Sequence, residues 1–445
     1  MSAPSVRLRR LVLSRAGSDP SVAAEVGALL RRGAVPDQRV REGARAILAS
    51  VKAGGDAAVR EANGRFGGGR ADGSLLVSKA EMEAARAALP PRIRAGLEQM
   101  IENIRRFAQT ELPETRTTTI VPGVEIERRW VPLARVGVYA PGGSAAYPSS
   151  LLMGVVPAKV AGVGTIVVAS PADAAGGLNQ TLLGAAGLVG VDVFIVAGGA
   201  QAVGAMAYGL PEAGVAPVDR IVGPGNAWVT AAKLEVFGEC GIDLPAGPSE
   251  VMVVADGAAD AVHVAADLLS QAEHGPDSPA LLVTWDAAFA TTVEGELARQ
   301  LETAARREIL ELSLTKAALV VLAPNRDAAL DFVNGYAPEH LSVVVEDVEE
   351  AVARLRNAGS LFVGPYAPES AGDYASGANH VLPTGGLARS CGALATDDYG
   401  KFIQVQRITR EGLATIRDAV ESIAEAEGLI AHKRAVEVRF EEAES

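Results

Sequence analysis

From Val136 onward the chain repeats one unit: a short apolar run, a stretch of helical periodicity, then another apolar run. VGVYAP (136–141), TIVVAS (165–170), VFIVAG (193–198) and DRIVGPG (219–225) read as strands. Helices are expected through Ser150–Val163, up to about Leu188, from Ala200, and from near Asn226. The rhythm restarts with EVMVVAD (250–256), ALLVTW (280–285), ALVVLA (318–323), LSVVVE (341–346) and SLFVG (360–364). Runs this apolar are buried on both faces, and helices between them impose right-handed crossovers, so each array predicts a parallel sheet. The fold class expected is α/β, with two sheets. The region before residue 130 reads as helical and charged, with Arg31–Ala53 and Lys79–Gln109 as clear stretches. The tail from Leu413 reads as helical, with Gly428 as its breaker.

A chain of 445 residues is too long for one ordinary core. The net charge of −13 argues against a nucleic-acid partner, which needs a basic face. No apolar run reaches the ~20 residues that span a bilayer. Met1–Arg15 carries basic residues without the apolar core of a secretory signal. Cys240 and Cys391 do not make a disulfide framework, so a reducing cytoplasm is the simpler expectation.

Chemistry is concentrated around few residues. Of five histidines, His263 sits in an alanine-rich helical pattern and reads as filler. The other four each lie near a carboxylate: His274 in QAEHG, His340 in APEHL, His380 in GDYASGANH and His432 in EGLIAH. Carboxylates orient imidazoles and tune their basicity. Gln271 and His274 are three apart at the end of an amphipathic helix, so an amide oxygen and an imidazole nitrogen can share one face. With Asp373 and another histidine they would form an all-N/O site suited to zinc. In APEHL, Pro338 keeps Ala337 out of a helix and sets Glu339 and His340 at a strand start, where two separate proton transfers could be served. Solvated turn residues are the alternative at that motif. Glycine-rich turns follow strands at APGGS (140–144), AGGAQ (197–201) and GPGN (223–226), and AGPSE (246–250) leaves Ser249 free to contact a ligand. None matches the dinucleotide fingerprint with its later acidic residue, and ordinary structural turns remain open for all four.

Taken together, VGVYAPGG, YPSSLLM, GGAQA, GPGNAWVTAAK, IDLPAGPSEVMVVAD, AADLLSQAEHG, APEHL, GDYASGANHVLPTGG and EGLIAH resemble the histidinol dehydrogenase family in order and spacing, from about Arg128 to the end. The resemblance implies two incomplete Rossmann-like domains with helical N- and C-terminal extensions. It implies zinc-dependent oxidation of L-histidinol to L-histidine with two NAD+, by a homodimer with shared active sites and no membrane or nucleic-acid partner. It puts zinc on Gln271, His274, Asp373 and His432, catalysis on Glu339 and His340, and further substrate contacts on Ser249, His380 and Glu427. Cofactor contacts fall on Tyr139, Gln201 and Asn226. The expected organisation is an N-terminal helical extension (1–33), a discontinuous α/β domain (34–135 and 247–385), an NAD-contacting domain (136–246) and a helical dimerisation tail (386–445). A relative oxidising another small alcohol, a zinc hydrolase, and a metal-binding module without catalysis are the competing readings.

Overall fold

The computed structural model describes residues 7–142 and 146–441; Gly143 and Ser144 of the APGGS turn lie outside the described residues. The chain divides into two units, one of Met1–Glu111 and Leu133–Tyr399, the other of Leu112–Pro132 and Gly400–Ser445.

The first unit holds two six-stranded sheets. In one, the order is Leu76–Val77, Val193–Val196, Thr165–Ser170, Arg135–Tyr139, Arg220–Val222, Gly241–Ile242. Every pair is parallel except the first, which is antiparallel. In the other, the order is Arg9–Val12, Ala318–Leu322, Ala280–Thr284, Val251–Ala255, His340–Val344, Ser360–Val363, all parallel. Side chains alternate across a strand, and here both faces are covered. Val251 and Val253 pack into one core with Val264, Leu268 and Leu297, whereas Met252 and Val254 pack into another with Leu330 and Val333. The strands therefore read as continuous apolar runs, which is what made them visible in the sequence.

Strand order reverses once in each sheet, between Arg135–Tyr139 and Arg220–Val222, and between Val251–Ala255 and His340–Val344. Such reversals open crevices at strand ends.

Strand pairing also groups the chain differently from the sequence expectation. Residues 34–135 were assigned to the domain of 247–385, but Gln38–Phe66 packs on Gly199–Tyr208 and Ala227–Val236. Lys79–Ala88 packs on Gln180–Val189, and Pro91–Thr110 on Pro148–Ala161. Residues 1–33, expected to be a helical extension, do form the helix Pro20–Leu30 but also supply Arg9–Val12 as the edge strand of the other sheet.

The second unit is an antiparallel sheet, ordered Gly400–Ile408, Val124–Pro132, Arg116–Val121, followed by helices Arg410–Ala426 and Ile430–Glu437. Gly428, at φ 73°, breaks the two helices as expected. The sheet corrects, at its end, the reading of the region before residue 130 as helical. A β-branched run, a Pro122–Gly123 turn and a second run spell a hairpin.

Candidate active site

Two cavities of the first unit are lined by residues the sequence singles out. The larger, about 630 Å³, is lined by Ser249, His274, Glu339, His340, Asp373 and His380, among others. These groups come from the amino ends of the second sheet's strands, the end of a helix, the short helix Glu369–Tyr374 and the loop after it. His340 is the first residue of its strand, and Ser249–Glu250 directly precede the neighbouring one.

Glu339 and His340 are buried, and their polar contacts converge on the main chain at Glu250. Glu339 Oε2 accepts from Ser249 Oγ (2.9 Å) and from the Glu250 amide (2.8 Å). His340 Nδ1 lies 3.2 Å from the Glu250 carbonyl, which can only accept, so the ring proton is assigned to Nδ1. His340 Nε2 is then left buried without a partner, 3.8 Å from Asp373 Oδ1. Burial opposes protonation of His340, but the carboxylates of Glu339, Asp373 and Glu369 outweigh it and raise its pKa well above the usual value. Burial would raise Asp373 as well; the imidazoles of His340, His380 and His274 hold it below the ordinary aspartate value. His380 Nδ1 lies 3.1 Å from the Asp373 carbonyl and its Nε2 3.2 Å from Ser150 Oγ, and burial lowers its pKa below the usual histidine value.

Gln271 is fully buried in the last turn of the helix Ala261–Ala272, with Oε1 3.4 Å from Ser249 Oγ. His274 lies just past the helix and is exposed to the cavity. Gln271, His274 and Asp373 offer one amide oxygen, one imidazole nitrogen and one carboxylate, a donor set that fits zinc. Among the described residues no three His, Cys, Asp or Glu side chains are gathered as a metal cage. Glu427 and His432 belong to the second unit, where both are exposed.

Sequence reasoning missed the groups behind this pair. Glu250 is buried and paired with Arg32, and Tyr336 donates to it (3.1 Å). Arg32 also stacks on the Tyr336 ring and donates to the carbonyls of Tyr336 and Ala337. Ala337 sits at φ 53°, a conformation costly for a residue with a Cβ. The signal for Glu250 was present: a carboxylate opening an otherwise apolar strand. Glu369 is likewise buried, accepts from Ser270 Oγ (2.8 Å), and is pushed up to about 7 by burial. Arg32→Met leaves the Glu250 carboxylate buried beside Tyr336 alone, and is expected to cost about 3–5 kcal/mol of stability. Arg32→Met/Glu250→Leu, which removes both charges, should recover most of that loss. Urea unfolding of both variants checks this, and equal stability of Arg32→Met and the parent would contradict it.

The smaller cavity, about 420 Å³, brings Tyr139, Gln201 and Asn226 together at the carboxyl ends of the first sheet's strands. Tyr139 Oη accepts from the Gly199 amide (3.3 Å), and Gln201 donates to Asn63 Oδ1 (3.3 Å). Asn226 caps the helix Ala227–Val236 by accepting from the Trp228 and Val229 amides. Asn226 lines both cavities, and Pro224 and Gly225 line the larger. One short turn thus separates a chamber at carboxyl strand ends, where nucleotides bind in open α/β sheets, from a chamber holding a carboxylate–imidazole pair.

That is the build of a nucleotide-dependent α/β enzyme. The family model described as histidinol dehydrogenase matches residues 30–440. The histidinol dehydrogenase of Methanosarcina mazei is 44% identical over 396 residues, covering 89% of this chain and 90% of that protein. That of Leifsonia xyli subsp. xyli is 45% identical over 417 residues, covering 93% and 95%. The crystal structure of histidinol dehydrogenase from Elizabethkingia anophelis superposes with a TM-score of 0.89 at 35% identity, over 97% of this chain and 98% of that one. This chain belongs to the histidinol dehydrogenase family, whose members are NAD-dependent oxidoreductases.

Proposed function

We propose that this chain oxidises L-histidinol to L-histidine through L-histidinaldehyde, consuming two NAD+ and one water. The observation that carries the reading is the buried Glu339–His340 pair, one turn away from a second chamber lined by Tyr139 and Gln201. His340, with Nδ1 held by the Glu250 carbonyl, presents Nε2 to take the hydroxyl proton as a hydride leaves the carbinol carbon for the first NAD+. Glu339, held by Ser249 and the Glu250 amide, takes a proton from water as its oxygen adds to the aldehyde carbonyl, giving the gem-diol monoanion. A second hydride leaves that carbon for a second NAD+, and the carboxylate forms. The balance is one alcohol, one water and two NAD+ giving one carboxylate, two NADH and three protons.

Gln271, His274, Asp373 and His432 are the residues we assign to a zinc ion, and Ser249, His380 and Glu427 to further substrate contacts. When bound, the metal supplies positive charge at Asp373, which anchors the substrate's nitrogen donors and offsets the carboxylates that raise the proton affinity of His340. Tyr139, Gln201 and Asn226 are assigned to NAD+. The assembly we propose is a homodimer in the cytoplasm. The second unit exposes Ile120, Ile403, Ile408, Ile423, Leu429 and Ile430, apolar surface of the kind association covers. Among the described residues no helix is long and apolar enough to cross a membrane.

The test is NADH formation from histidinol, with the stoichiometry counted. Two NADH per histidinol are expected. Turnover of another small alcohol in its place, or reaction without NAD+, would replace this reading with one of its rivals.

A further inference from the structure

We propose that Lys233 and Asp243 are positioning residues for hydride transfer, because their buried ion pair clamps the turn that forms the wall between the two cavities. The proposal rests on the oxidoreductase reading above.

Lys233 and Asp243 face each other with side chains 2% and 1% exposed. Both grip one residue. Lys233 Nζ donates to the Gly223 carbonyl (2.9 Å), and Asp243 Oδ2 accepts from the Gly223 amide (2.7 Å). The two backbone groups of Gly223 are thus held from two elements. Lys233 comes from the helix Ala227–Val236, and Asp243 from just past the strand Gly241–Ile242. Gly223 stands at φ 108°, and a Cβ there would collide with the carbonyl of Tyr139. The clamp therefore sets Tyr139 and the 223–226 turn against each other.

Neither charged residue lines a cavity, whereas Pro224, Gly225 and Asn226 do. A desolvated ion pair is a poor source of stability, since well-packed apolar side chains commonly do as well. What this pair provides is a fixed place for one glycine. Hydride transfer needs its two carbons within roughly 3–3.5 Å, and a displacement of about 1 Å can cost on the order of 10²-fold in rate. A wall held at both backbone groups keeps the nicotinamide and the carbinol carbon in register.

The experiment reads the hydride step directly. Enzyme saturated with histidinol and NAD+ is mixed, and the first NADH is followed in a single turnover. Lys233→Met/Asp243→Asn leaves no charge buried alone. It is expected to slow that step about 10–100-fold while histidinol affinity, measured by calorimetry, stays unchanged. Asp243→Asn alone also keeps the Lys233 donation to the Gly223 carbonyl, and should fall between it and the parent. A merely structural pair predicts a lower Tm with an unchanged single-turnover rate per folded enzyme, and that result would overturn the proposal. A measurement on the unaltered enzyme stands apart from any folding defect. The Gly223 amide should exchange with solvent as slowly as the strand interiors, and exchange at open-loop rates would also overturn it. Parent enzyme that forms no NADH from histidinol would remove the oxidoreductase reading and this proposal together. Parent turnover with unaltered variants removes this proposal alone.

Discussion

Chelation of metal from the purified enzyme is expected to abolish NADH formation from histidinol and to leave the fold largely in place. The proposed donors Gln271, His274 and Asp373 sit at a helix end and a short helix, positioned by elements with their own packing. The sheet bearing them is held by apolar cores on both faces, with Val253, Val264, Leu268 and Leu297 on one side and Val254, Leu330 and Val333 on the other. Removing the ion therefore withdraws charge from the reaction without withdrawing the core, unlike small domains whose folding free energy is metal binding. The check combines metal analysis, circular dichroism and activity on one sample, followed by zinc add-back. Full activity in a preparation shown to be metal-free would remove the metal from the reaction.

Glu339→Gln is expected to separate the two oxidations. The amide is nearly isosteric, and its oxygen can still accept from Ser249 Oγ and the Glu250 amide, so the neighbourhood should hold. What it loses is the ability to take a proton from water. Alcohol-to-aldehyde oxidation, assigned to His340, should be little changed, whereas aldehyde-to-acid oxidation should slow by roughly 10²–10⁴-fold. Supplying histidinaldehyde directly isolates the second step. Equal losses in both halves would contradict the division of labour between these neighbours.

Much of this could be read from the chain, because its strands are buried on both faces and leave unbroken apolar runs. Thr165–Ser170 falls where the pattern put it, and the helix after GPGN begins at Ala227, with Asn226 as its cap. Less visible were elements whose partners lie far away. Arg9–Val12 is half charged and becomes a strand only through pairing with Ala318–Leu322. Leu76–Val77 is too short to carry a period. The two-chamber arrangement was hidden for a different reason. Ligands of open α/β sheets gather at carboxyl strand ends, and the Tyr139–Asn226 chamber obeys that rule, but His340 and Ser249 stand at amino ends of the second sheet. No local pattern distinguishes the two ends of a buried strand. The supporting groups Arg32 and Lys233 were equally silent, since a charge beside an apolar run looks like surface until its partner is located.

The edge strand Arg9–Val12 has a consequence for how the protein is made. Its seat is against Ala318–Leu322, and the Leu8 amide just before it reaches Glu294. Ribosomes add roughly 5–20 residues per second. Arg9–Val12 must therefore wait, on the order of tens of seconds, for the segment that receives it. During that interval the sheet built from 76–242 already has all its strands and can close. Synthesis in this order leaves a stage in which the first sheet can be complete while Arg9–Val12 is unpaired, and Arg9 and Arg10 keep that strand charged while it waits.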